Sequence, residues 1–164
     1  MESQENRIKR IKAAVAIAIT IAVPAEGLRR VAYHDPVGIL TVCYGSTTQV
    51  QKGKVYSLEE CWDRLDSDMQ QAILTVDRCV PGLQPNVLAA FGDAVYNIGP
   101  RIACDPAKST AARLLKAGKV VDACKQLPRW NKVNMGGIFV PLPGLTKRRN
   151  IEMNICLGGS DAIH

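Results

Sequence analysis

Residues 26 to 45 read EGLRRVAYHDPVGILTVCYG and place two acids and a hydroxyl on one short path. The acids are Glu26 and Asp35, and the hydroxyl belongs to Thr41. From Tyr33 to Gly45, apolar and polar residues alternate around a Pro-Val-Gly turn, which predicts a tight β-hairpin. Glu26 to Ala32 is expected to complete a short helix. The stretch therefore predicts that the three side chains lie where a helix meets a hairpin.

Downstream of this stretch the hydrophobic period becomes helical. Ser57 and Glu60 form the pattern of a capping box, and we expect Asn86 to cap the second helix and Ser109 to open the third. Three further segments are predicted: a fourth helix over 120–127 that Pro128 ends, a loop over 134–144, and a last helix from Thr146. The fold class is therefore α+β, a small β region followed by a larger helical lobe.

Length and charge limit the kinds of partner. A chain of 164 residues fits one domain, or one domain with a short appendage. The net charge of +6 favours polyanionic partners. Aromatic residues are 5% of the chain and do not alternate with the basic ones, so nucleic-acid binding is not expected. Binding to an acidic cell envelope is the better prediction.

The six cysteines lack any C-x-x-C spacing, so a structural zinc site is not expected. An even number of dispersed cysteines is compatible with disulfides in an oxidising compartment. About fifteen pairings are open to six cysteines, and six buried thiols are the alternative. We expect the pairs Cys43–Cys61, Cys79–Cys104 and Cys124–Cys156.

The N-terminal segment, residues 1–25, has an export pattern. Arg7, Lys9, Arg10 and Lys12 precede AAVAIAITIAV (13–23), in which only Thr20 is polar. The run is too short to cross a hydrocarbon layer of about 30 Å comfortably, so it predicts a signal peptide or a weak anchor. The alternative is a buried core helix of a cytosolic protein. Cleavage after Ala25 would remove the helix that should hold Glu26, so we expect the segment to stay attached to the body, 26–164.

Two carboxyl groups suit hydrolysis of a glycosidic bond. One must be protonated to help the leaving oxygen depart, and the other must be ionised to activate water or stabilise positive charge. Spacing alone is a weak signal, because solvated acids are common. The string E-G-x-x-x-x-x-Y-x-D-x-x-G-x-x-T-x-x-Y-G, however, closely resembles the active-site motif of phage-type lysozymes.

The resemblance extends over nearly the whole body. Four further blocks match that family in order: FGDAVYNIG (91–99), STAARLLKAGK (109–119), PRW (128–130) and GLTKRRNIEMNIC (144–156). The basic and weakly apolar N-terminus resembles signal-anchor-release endolysins. The resemblance implies a lysozyme-like fold, with an active-site cleft between the two lobes, and host cell lysis by a bacteriophage enzyme.

The implied reaction is hydrolysis of the β-1,4 bond between N-acetylmuramic acid and N-acetylglucosamine in peptidoglycan. Glu26 would be the general acid, and Asp35 and Thr41 would position water or stabilise the oxocarbenium ion. Asn97 would hydrogen-bond the sugar, with Tyr44 a weaker candidate. Arg148 would pair with Glu26. The alternative is that Arg148 is a solvated charge on the last helix. No cofactor or metal is implied.

The resemblance also implies a location. The enzyme would be tethered transiently to the inner membrane through residues 13–23 and would then act as a monomer in the periplasm of the infected bacterium. No cysteine lies in residues 1–42, so disulfide exchange from that segment cannot restrain the enzyme. We expect restraint by membrane position instead.

Other residues invite functional readings that we do not adopt. His34 is expected to face solvent from a strand, and Trp62 and Trp130 are expected to lie in the core. Ser46 stands where many relatives carry histidine, so any support that an imidazole gives the cleft is absent or replaced. Two other functions stay open: an exported, disulfide-stapled envelope-binding protein without catalysis, and a lytic transglycosylase that forms an anhydro product.

Overall fold

A long N-terminal helix opens the computed structural model, which describes residues 1–159. Helix α1 (Gln4–Glu26) begins at Ser3, whose hydroxyl accepts a hydrogen bond from the Asn6 N–H at 3.2 Å. Gly27 ends it at a φ of +69°, a conformation that glycine adopts without strain. The expectation that helix continues to Ala32 is therefore wrong, and the helix runs across the predicted segment boundary at residue 25.

The predicted hairpin is present. Strands β1 (Arg29–His34) and β2 (Leu40–Cys43) pair antiparallel, with Tyr33 opposite Thr41. Asp35 closes the turn, because its Oδ1 accepts the N–H groups of Val37 at 3.0 Å and Ile39 at 2.8 Å. His34 is exposed at the end of its strand, as predicted.

The helical lobe follows the predicted order with one short addition. Its elements are α2 (Leu58–Cys79), α3 (Pro85–Ile98), α4 (Arg101–Cys104), α5 (Thr110–Lys116), α6 (Val120–Cys124), a 3₁₀ turn (Leu127–Arg129) and α7 (Pro143–Cys156). The capping box of Ser57 and Glu60 and the Ser109 cap are confirmed. The sequence pattern did not predict α4, and Pro128 lies inside the 3₁₀ turn instead of stopping a longer fourth helix.

Two other local predictions are wrong. Asn86 lies inside α3, and its amide instead donates to the carbonyls of Ile155 at 3.1 Å and Cys156 at 3.0 Å. Residues predicted as a loop form a second hairpin, β3 (Lys132–Met135) and β4 (Ile138–Pro141). Gly136 and Gly137 both have positive φ, which a two-residue hairpin turn requires and the pattern of a Gly-rich loop conceals.

Helix α3 lies at the centre of the lobe, and α1, α2 and α7 pack against it. The apolar side of α1 contributes five buried residues to this core: Ala14, Val15, Ala18, Ile21 and Ala22. In the folded protein the segment predicted as an export signal is thus a core helix. Among residues 1–159, no helix combines the length and apolar character that crossing a bilayer requires.

All six cysteines are in disulfides, with the expected pairing. Cys43–Cys61 joins β2 to α2, Cys79–Cys104 joins the end of α2 to α4, and Cys124–Cys156 joins α6 to α7. The alternative of six free thiols is wrong. Each bridge closes a loop of 18 to 32 residues, which stabilises the fold by about 3 to 4 kcal/mol in the chain-entropy account.

Candidate active site

Glu26 is the last residue of α1, and its side chain is 22% exposed. The predicted ion pair with α7 is present, because Arg148 Nη1 lies 2.5 Å from Glu26 Oε1. Gly45, in the turn after β2, approaches the other oxygen: a Cβ added there would lie 3.3 Å from Glu26 Oε2. The carboxyl group therefore lies between the last helix and the turn that follows the first hairpin.

Arg148 is held on its far side by a buried acid that the sequence pattern missed. Its Nε and Nη2 donate to the two oxygens of Asp93, each at 2.8 Å, and Asp93 is fully buried in α3. Burial alone would lower the pKa of Arg148, but the hydrogen bonds and charge of Asp93, with the charge of Glu26, raise it. The guanidinium is thus a fixed cation that links α3 to Glu26.

A second buried pair lies beside the first. Arg149 Nε and Nη2 each lie 2.8 Å from an oxygen of Glu152, and Nη2 also donates to Asn97 Oδ1 at 2.7 Å. Burial is the main cause that raises the pKa of Glu152 far above its usual value, and the neighbouring Asp93 raises it further. Burial likewise lowers the pKa of Arg149. Asn97 is consequently oriented through its amide oxygen.

The hydroxyl of Tyr96 ties the central helix to the turn beside Glu26, because it donates to the carbonyl of Tyr44. Burial and then the negative charge of Glu26 raise the pKa of Tyr96, so its phenol keeps the proton that this hydrogen bond needs. The Tyr44 ring is buried and lies 5.9 Å, centroid to centroid, from Trp62. Trp62 is 45% exposed, so its prediction as a core residue is wrong, whereas Trp130 packs against the core as predicted.

Asp35 and Thr41 belong to the hairpin and organise it. Thr41 is buried, and its hydroxyl donates to the Ile39 carbonyl at 2.9 Å. Asp35 is half-buried and uses one oxygen, Oδ1, to bind the turn. Its other oxygen, Oδ2, accepts neither of those two turn hydrogen bonds.

Ser46 lies at the position where many relatives carry histidine. It is buried, and its hydroxyl accepts a hydrogen bond from Arg64 Nη1 at 3.1 Å. Arg64 Nη1 also donates to the Thr48 carbonyl at 2.7 Å, so the arginine binds the loop after β2 to α2. Ser46 is thus held by an arginine of α2.

A pocket of about 430 Å³ opens beside Glu26, between α1 and α7. Its walls include Glu26, Asn97 and Arg148 together with mostly apolar residues: Ile21, Pro24, Ala25, Leu142, Gly144, Leu145, Lys147 and Ile151. The structure thus brings three of the predicted site residues to one pocket. Asp35, Thr41 and Tyr44 do not line it.

Residues 1–159 contain no cluster of histidine, cysteine or acidic side chains suited to a metal ion. The buried acids that sequence reasoning missed left a recognisable signal. Asp93 is a single charge in the otherwise apolar stretch of α3, and Glu152 follows Arg148 at helical spacing. A lone charge on an apolar helix face requires a buried partner.

Gly45→Ala is expected to reduce activity about tenfold, because the added Cβ displaces the Glu26 carboxyl group from its position against Arg148. Gly53→Ala is the matched control. Gly53 has a φ of +84°, close to the +89° of Gly45, but nothing lies within 4 Å of its added Cβ. Both variants should lose about 1–3 kcal/mol of stability from backbone strain. Equal activities of the two folded variants would contradict the prediction.

Comparison with known proteins supplies evidence about the function of the chain that is independent of the geometry of the pocket. The family model described as phage lysozyme matches residues 23–152. The chain is 34% identical over 146 residues to the SAR-endolysin of Pseudomonas phage phiKMV, a match that covers 88% of this chain and 89% of that protein. It is 36% identical over 140 residues to the SAR-endolysin of Bacteriophage PS119, with coverages of 82% and 77%.

A solved structure is similar in fold over most of its length. The muramidase domain of SpmX from Asticaccaulis excentricus superposes with a TM-score of 0.76 at 26% identity. The match covers 87% of this chain and 95% of that domain. The fold, a helical lobe with a small β region, is therefore shared with a muramidase domain.

Proposed function

Because the chain belongs to the phage lysozyme family and is an endolysin of the muramidase type, we propose that Glu26, Asp35 and Thr41 cleave its peptidoglycan substrate. One observation carries the assignment of Glu26. Glu26 lies at the wall of the pocket between α1 and α7 with one oxygen bound to a buried arginine. A general acid needs such a fixed orientation toward the leaving oxygen.

Arg148 orients Glu26 through a single nitrogen. Asp93 accepts hydrogen bonds from both Nε and Nη2, and only Nη1 reaches Glu26, at Oε1. The buried Asp93 thus holds the guanidinium in place beside Glu26. Glu26 keeps Oε2 for the glycosidic oxygen.

The hairpin supplies the second half of the reaction. Asp35 has one oxygen engaged in the turn, and the other is the group that would activate water or stabilise the oxocarbenium ion. Thr41 would orient that water through its hydroxyl. Their fixed hydrogen bonds within the hairpin hold both groups in place before substrate binds.

Substrate contacts are proposed for the pocket wall. Arg149 holds the amide oxygen of Asn97, so the amide NH₂ is the group that would donate to a sugar. Lys147 adds a positive charge at the same wall, which favours the carboxylates of peptidoglycan. The buried ring of Tyr44 supports a structural role beside Trp62 instead of a substrate contact.

We also propose that residues 13–23 tether the protein transiently to the inner membrane before it acts in the periplasm as a monomer, without nucleic acid. The SAR-endolysin names of the relatives support this proposal, as does the basic and weakly apolar composition of the segment. Three disulfides suit the oxidising periplasm. After release, the apolar side of the segment is buried in the core as part of α1.

Identification of the products tests the proposed reaction. Purified peptidoglycan digested with the protein is expected to release fragments with reducing N-acetylmuramic acid ends, because water completes the cleavage. Borohydride reduction and mass spectrometry of the fragments distinguish these ends from anhydro ends. Anhydro ends alone would favour a transglycosylase. Binding to the walls without any release would favour the envelope-binding alternative.

A further inference from the structure

The basic end of α1 is bound to a single buried carboxylate on α2. Asp77 is 3% exposed. Its Oδ2 accepts a hydrogen bond from Arg7 Nε at 3.0 Å and lies 2.9 Å from Arg7 Nη2. Its Oδ1 lies 2.9 Å from Arg10 Nη1. The two oxygens of Asp77 therefore face one arginine each, Oδ2 facing Arg7 and Oδ1 facing Arg10.

This cluster is shielded from solvent on the Arg10 side. Arg10 is 11% exposed, and it also donates to the Leu83 carbonyl at 3.2 Å and binds both oxygens of Glu2 at 2.8 Å. Burial alone would raise the pKa of Asp77, but the hydrogen bonds and charges of Arg10 and Arg7 outweigh it and lower the pKa. Asp77 is consequently an ionised acid that requires those two partners.

The rest of the contact between α1 and the body is less directional. The buried side of α1 consists of alanines, a valine and an isoleucine, and apolar packing of this kind resists separation more than small rotations or shifts. Arg7 and Arg10 lie one turn apart on the same helix face. Two charged contacts to one acid define both the rotation and the axial position of the helix.

Glu26 lies on the same continuous helix. It is about 24 Å beyond Arg10 along the helix axis, at about 1.5 Å per residue. Pro24 removes one backbone hydrogen bond near the end of α1, but the helix continues through it to Glu26. An error in rotation at the basic end is therefore expected to reach the carboxyl end. We propose that Asp77 is a positioning residue for the reaction: it receives Arg7 and Arg10, sets the register of α1, and thereby holds Glu26 against Arg148. The inference rests on the proposed role of Glu26.

The basic residues of α1, which lie between positions 7 and 12, differ in what they bind. Arg7 and Arg10 bind the body, whereas Lys9 pairs with Glu5 on the exposed side of α1 at 2.6 Å. The pattern that predicts export therefore includes two arginines with a second use in the folded enzyme. Lys9 provides the matched control, since it lies in the same segment and lacks the buried partner.

Asp77→Asn is expected to lower the rate of wall cleavage at saturating substrate about 10- to 100-fold, with a much smaller change in half-saturation, because Glu26 is displaced while the proposed substrate contacts Asn97 and Lys147 lie on α3 and α7. Amide hydrogen exchange of residues 4–26 should accelerate about tenfold, and exchange of α3 should not change. Lys9→Gln should leave the rate and the exchange unchanged. Asp77→Glu keeps the charge and should recover most of the rate.

Glu26→Gln separates this inference from the proposed catalytic role. That variant should lose activity while α1 keeps its slow exchange; an active Glu26→Gln would refute the catalytic role and leave α1 docking to be judged by exchange alone. Unchanged exchange and rate in Asp77→Asn would overturn the inference, as would equal acceleration throughout α2 and α3. Arg10→Gln tests the same contact from α1 if Asp77→Asn does not fold, and α1-specific acceleration with a lower rate supports the inference.

Discussion

Glu26→Gln is expected to slow the clearing of purified cell walls by about 10²- to 10⁴-fold while the protein remains folded. An amide has nearly the shape of the carboxyl group, and its oxygen can still accept the hydrogen bond from Arg148 Nη1. It cannot release a proton to the leaving oxygen. The measurement is the decrease in turbidity of a wall suspension, with circular dichroism of the same samples to verify the fold.

Glu5→Gln is the control for the loss of one negative charge from α1. Glu5 is exposed in the first turn of that helix and pairs with Lys9, so the variant should clear walls at the normal rate. Asp35→Asn and Thr41→Ala measure the hairpin side of the site in the same assay. A Glu26→Gln variant with more than about a tenth of the normal activity would contradict the role of general acid.

Arg148→Met is expected to reduce the free energy of unfolding by about 3–5 kcal/mol and to lower activity at temperatures where the variant is folded. The substitution leaves Asp93, which is fully buried, without the guanidinium that binds both of its oxygens. It also frees Glu26 from its only ion pair among residues 1–159. Chemical denaturation measures the stability, and wall clearing measures the activity.

Two further variants distinguish the effect of breaking the buried ion pairs from the effect of losing an arginine in general. Arg113 is exposed on α5, so Arg113→Met should change stability by no more than about 0.5 kcal/mol. Asp93→Asn combined with Arg148→Met removes the unpaired charge and should recover part of the stability but not the activity. If Arg148→Met proves as stable as Arg113→Met, the assignment of Arg148 as the buried partner of Asp93 is wrong.

Local chemistry explains the features that could be predicted from the sequence. The caps at Ser57 and Ser109 are side-chain hydrogen bonds to nearby backbone, so residue spacing reveals them. The hairpin follows from alternation around a short turn. Where the pattern was ambiguous, prediction failed: glycines 136 and 137 form a turn between two strands, although glycine and proline there had indicated a loop.

The motif around Glu26, Asp35 and Thr41 was readable from the chain because its residues are close in sequence, and with it the family and the reaction. Tertiary structure decided which buried charges serve that motif. Asp93 pairs with Arg148 across 55 positions of the chain. Asp77 pairs with Arg7 across 70 positions and also binds Arg10. Spacing carries no information about such pairs, because a buried charge selects its partner by the packing of helices and not by distance along the sequence.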